Sequence, residues 1–198
     1  MKRLVLAIVA SAIAAACSSS TPAGPGPIAA GGANATQGKP DGVPRNWVAH
    51  LVGDNEVPPN PSKGQGQAKF QLSADGQTMS YRVISSNINN IVQSHIHVVT
   101  AAGDPTTVNG PISVFLFGVV PSGGGRHDGV LAEGEFATAN LINSGTTGVS
   151  TLAQLIAAMD AGKTYVNVHT NDGLSGPSNG PGDIPGGEIR GQIETAGH

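Results

Sequence analysis

The chain of 198 residues contains a single cysteine, so no disulfide can form within it, and a packed core has to supply the stability. Charge is scarce as well. Charged residues make up 12% of the chain and the formal net charge is −3, which removes the electrostatic case for nucleic acid as a partner. Aromatic residues make up 4%. The apolar run Leu4 to Ala16, broken by Ser11, is too short to cross a bilayer as a helix. The glycines at Gly123 to Gly125 lack the strand-to-helix layout of a phosphate loop. Ser94 adjoins His95, but neighbours on a strand face opposite ways and make a poor nucleophile–base pair. Glu56, before Val57-Pro58-Pro59, can order a loop but has no partner carboxylate for acid–base chemistry. These absences argue against an enzyme.

What is there begins with an export signal. Lys2 and Arg3 form a positive n-region before the apolar run, so residues 1–16 read as a secretory signal peptide. Ala14-Ala15-Ala16-Cys17 resembles a bacterial lipobox, with Ala14 where Leu is usual. Lipidation of Cys17 is one expectation. Cleavage after Ala16 that leaves a free thiol is the other, and a lone thiol in an oxidising compartment argues for the first. Ser18 to Pro44 is dense in Gly, Pro, Ser and Ala and lacks aromatics, so it cannot bury enough surface to offset its ordering entropy. Residues 17–44 are thus expected to be a lipid-anchor cysteine and a flexible tether, and residues 45–195 one domain. The protein should be exported and lipid-anchored in the cell envelope, facing the periplasm, or otherwise secreted. No Asp follows Cys17 to mark inner-membrane retention, which points to the outer membrane.

Inside the domain, apolar residues alternate with period two. Trp47, Ala49 and Leu51 share a face, as do Ala68, Phe70 and Leu72, and then Met79, Tyr81 and Val83. Asp75-Gly76 marks a hairpin between the second and third of these strands. Ser94 to Val99, Ile112 to Phe117, Leu131 to Phe136, Thr164 to Thr170 and Glu188 to Ile193 read as further strands. Ile112 to Phe117 is apolar on both faces and is expected at the centre of a sheet. One helix interrupts: Ser150 or Thr151 caps it, Leu152, Leu155, Ile156 and Met159 recur at helical spacing, and Gly162 can end it. The pattern predicts an all-β sandwich or barrel with one short helix.

Several segments also resemble the CHRD domain, the module named for chordin: Leu51 to Pro59, Ser94 to His97, Asn109 to Ile112, Tyr165 to Thr170, and Gly187 to Ile193. Their order and spacing match, and the resemblance covers about Val48 to Ile193. It implies an antiparallel, Greek-key-like β-sandwich of immunoglobulin-like or superoxide-dismutase-like character. It also implies a binding or interaction module with no established catalysis; placed in the cell envelope by its export signal, the module could meet an envelope protein or glycan. The segment between His169 and Glu188 is longer than the short Pro-Gly turn expected there, so residues 171–187 could alter access near His169.

The remaining question is why an apolar strand carries two histidines. Residues i and i+2 of a strand point the same way, so His95 and His97 project from one face and Ile96 and Val98 from the other. His169 shares a face with Asn167 and Tyr165, and Glu188 with Arg190 and Gln192. If these strands are neighbours, His95, His97, His169 and Glu188 converge. Three imidazoles suit copper or zinc. Asn167, Glu188 and Arg190 would support such a set from outside it. Binding would then be expected to fail below about pH 6, as imidazoles protonate. The H-x-H spacing is similar to the copper-ligand strand of Cu/Zn superoxide dismutases, but no second cluster and no disulfide accompany it, which argues against dismutase activity. The competing reading is a polar sheet face. There the histidines donate to loop carbonyls, and Glu188 and Arg190 pair with neighbouring strands. His50 is expected at the core edge, His127 in a mobile turn, and His198 in solvent.

Overall fold

The computed structural model describes residues 45–100 and 102–197. The signal peptide, Cys17, the tether and His198 lie outside the described residues.

Among the described residues, nine strands build one antiparallel sheet: β1 (Asn46–Val52), β2 (Gln65–Leu72), β3 (Thr78–Asn89), β4 (Ile91–Val98), β5 (Ile112–Gly118), β6 (Arg126–Ala137), β7 (Thr164–Thr170), β8 (Ile189–Gln192) and β9 (Glu194–Thr195). The order is β5-β4-β7-β8-β1-β2-β3-β6, with β9 beside β1. β7 thus pairs with its successor β8 on one side and with the distant β4 on the other, away from β6 that precedes it, as in Greek-key folds. The sheet curls until its end strands approach, and one core fills the interior. Trp47, Leu51, Phe70, Met79, Val83, Ile96, Val114, Val166, Val168 and Ile189 all belong to it. Burying an aliphatic side chain of this kind contributes roughly 1.5–3 kcal/mol, which is how the described domain holds together without a disulfide.

The expected helix is present as α2 (Leu152–Asp160), after a single turn, α1 (Ser144–Thr147). Thr151 accepts from the Gln154 amide, and the Gln154 side chain returns to the cap backbone. That capping box satisfies two N-terminal amides. Leu152, Leu155, Ile156 and Met159 pack into the core, and Gly162 turns the chain at φ 64°. No helix among the described residues is long and apolar enough to cross a membrane.

Three expectations are corrected. β5 is an end strand rather than a central one. Its outer face is only partly covered, with Phe115 41% exposed. Its free edge is blunted locally, because Ile142 N–H donates to Ser113 O, the Asn143 amide to Ile112 O, and the Tyr81 hydroxyl to Leu116 O. His50 is exposed rather than at the core edge. His127 is not in a turn: it lies on β6, which begins at Arg126, and its Nδ1 meets Ser85 Oγ at 2.9 Å.

Candidate metal centre

β4 and β7 run side by side, and their register places His95 opposite Asn167 and His97 opposite Tyr165. Pleating sends Ile96, Val98, Val166 and Val168 into the core, and His95, His97, Tyr165, Asn167 and His169 to the other side. That other side is not open to water. His95 is 0% exposed, and His97 and His169 are 7% exposed. Two loops roof it, residues 102–111 and residues 171–188. His97 Nδ1 donates to Gly110 O at 2.8 Å and His169 Nδ1 to Pro185 O at 2.8 Å. The histidines therefore do donate to loop carbonyls, but from a buried cluster rather than an exposed face.

Those two bonds fix the tautomers. A carbonyl oxygen only accepts, so Nδ1 of each ring carries the hydrogen and Nε2 of each neutral ring is a lone pair. Burial holds the rings neutral. It pushes His95 down to about 3, helped by the neighbouring His169 and His97. It pushes His97 down to about 4, against the opposing effect of the Gly110 bond, and it lowers His169 too. Protons therefore compete for these nitrogens well below the pH at which an ordinary imidazole titrates, and the expected loss of binding moves down from about pH 6.

One ligand atom from each of His95, His97 and His169 lies within 4.8 Å of the other two. Both nitrogens of His95 are buried without any hydrogen-bond partner. Each such atom costs about 1–3 kcal/mol if nothing coordinates it. Phe115 packs edge-on against His95 with centroids 4.5 Å apart.

A second layer holds the ligand set. Tyr165 stacks on His97 with centroids 4.7 Å apart and rings 1° from parallel. The Arg190 guanidinium lies 3.4 Å from the Tyr165 ring centroid. Arg190 also donates to Asn109 Oδ1 at 2.7 Å, to Val108 O at 2.8 Å and to Pro105 O. It thereby fixes the loop whose Gly110 carbonyl orients His97. Gly110 N–H donates to the Tyr165 hydroxyl at 3.0 Å. A side chain on Gly110 would collide with the Val98 carbonyl, so glycine is what lets this loop approach closely.

Glu188 does not join the histidines. Its carboxylate accepts from Ser62 Oγ at 2.7 Å, Thr170 Oγ1 at 2.5 Å and Gly182 N at 2.7 Å. It is a staple that ties the 53–64 and 171–188 loops to β7.

The sequence places Tyr165 on the face of His169, and Asn109-Gly110-Pro111 signals a tight turn, but nothing in it gives Tyr165 or Gly110 a part in the site. The sequence also underrates Glu56. That carboxyl is 4% exposed, has one oxygen without a partner, and is pushed up to about 7 by burial against the opposing pull of Arg190. Gly187, at φ 129°, leaves it room.

The CHRD domain family matches residues 47–177. With that span on a β-rich fold, the chain belongs to the CHRD domain family. No curated protein matches it.

Proposed function

We propose that this CHRD domain binds one transition-metal ion, copper or zinc, through His95, His97 and His169, and that it does so as a non-catalytic binding module of the cell envelope. The observation that carries the reading is His95, whose two nitrogens are buried without partners beside two neutral imidazoles with tautomers fixed by loop carbonyls. Neutral imidazole nitrogens suit copper and zinc, and burial beneath the two loops keeps bulk water from competing. The envelope location rests on the n-region, the apolar run and Cys17 of the sequence; Cys17→Ala should release the protein from membranes, and unchanged retention would refute lipid anchoring.

Competitive zinc and copper titration of the purified protein tests the metal reading. Binding at or below micromolar concentration, lost in His169→Ala and in His97→Ala, is the expected result. A wild-type protein that takes up neither metal refutes it. The family resemblance would then favour a module that acts through protein or glycan contacts alone.

A further inference from the structure

The three histidines leave the fourth position of a tetrahedral ion undecided, and the identity of that position separates a closed binding centre from an open catalytic one. Asn167 lies opposite His95 on β7 and is 3% exposed. Its Oδ1 is 2.9 Å from His97 Nε2 and 3.0 Å from His169 Nε2. Neither contact is a hydrogen bond between neutral groups, because both ring hydrogens are already committed at Nδ1 to Gly110 O and Pro185 O. With Asn167 Oδ1 turned toward the rings, three lone pairs face one another with no proton between them. A cation placed there turns that repulsion into coordination.

For metal–ligand distances near 2.0–2.1 Å, the edge of a tetrahedron of ligands is on the order of 3.3 Å. The two Asn167 edges fall slightly inside it, and the three histidine ligand atoms, within 4.8 Å of one another, draw in around the ion to complete it.

Resting on the metal reading above, we infer that Asn167 Oδ1 is the fourth ligand, so that the centre is His95, His97, His169 and Asn167 with no place left for water. A closed, uncharged ligand set holds an ion and passes it on; it offers no metal-bound hydroxide for hydrolysis. The competing role for Asn167 is to have its amide turned, so that its NH₂ donates one hydrogen to each Nε2 and merely braces the two rings.

Cobalt(II) substitution of the full chain, with zinc affinity measured by chelator competition, separates the two. The wild type should show the intense visible bands of four-coordinate cobalt and should not respond to added azide. Asn167→Ala should admit water, make the spectrum azide-sensitive, and weaken zinc binding beyond the about 10–100-fold typical of an outer-shell partner. Asn167→Asp keeps an oxygen in the same place and adds a charge. It should retain the bands and tighten zinc by about tenfold or more.

Cobalt bands and azide insensitivity that survive in Asn167→Ala, or an Asp variant weakened as much as the Ala variant, would overturn the assignment while leaving the three-histidine site intact. A wild type that binds neither cobalt nor zinc would overturn both.

Discussion

Strands β4 and β7 are buried on both sides, and the two sides are built on opposite principles. On the inner side Ile96, Val98, Val166 and Val168 meet other aliphatic groups, and nothing polar needs a partner. On the outer side three imidazoles, an amide and a phenol are buried to a similar degree, and each polar atom must be accounted for. The inner side stabilises through transfer of apolar surface from water. The outer side spends stability, because His95 is left with two unsatisfied nitrogens. Protein interiors rarely carry such groups without a reason, and coordination of an ion is the reason proposed above. On the proposed reading, the same pair of strands is a wall of the core on one side and the floor of a metal centre on the other.

Substitutions on the two sides should have opposite signatures. Ile96→Ala should lower stability by about 2–5 kcal/mol in denaturant unfolding and leave metal affinity unchanged. His95→Leu should abolish metal binding and yet raise the stability of the metal-free protein, since each buried unpartnered nitrogen costs about 1–3 kcal/mol. If His95→Leu destabilises the metal-free protein, the outer side is already satisfied without an ion.

The pH dependence sharpens the contrast. The folded values of His95, about 3, and His97, about 4, lie below the ordinary 6.5. The unfolded chain therefore binds more protons than the native protein between these limits. Metal-free stability should be full above about pH 6.5 and fall as the pH drops toward 4. Glu56 has the opposite sign. Its folded value of about 7 exceeds 4.5, so its contribution is present below about pH 4.5 and lost as the pH rises to 7. Glu56→Gln should therefore be more stable than wild type above pH 7, on the order of 3 kcal/mol, with the gain absent at pH 4.5. Equal stability of the two proteins at pH 8 would contradict the burial of an ionisable Glu56.

Smaller effects follow farther out. Arg190→Lys keeps the charge but loses the planar fork that reaches Asn109, Pro105 and Val108. It should weaken metal binding by about 10–100-fold, as loss of an outer-shell partner does. Titration of that variant at neutral pH checks it. Exposed His50 gives the smallest effect: His50→Ala should change stability by no more than about 0.5 kcal/mol and leave metal content alone.

The inner side was legible in the sequence and the outer side only half so. Alternation placed Trp47, Ala49 and Leu51 in the core, and it placed His95 and His97 together because pleating is a local rule. The helix was legible from Thr151, its apolar spacing and Gly162. Burial of the histidines was not legible, because their cover comes from Gly110 and Pro185 on distant loops. For the same reason Glu188 looked like a neighbour of the histidines, while donors from the 53–64 and 171–188 loops direct it elsewhere. β5 looked central because its composition is apolar on both faces. Its edge position depends on the order of strands around the sheet, which composition does not encode.

The most direct test of the account is the metal content of the purified protein by elemental analysis, wild type beside His95→Leu. The account predicts about one copper or zinc ion per wild-type chain and none in the variant. A wild type that stays free of metal even after incubation with both ions would contradict it, and the outer side of β4 and β7 would then be a polar interior without a ligand.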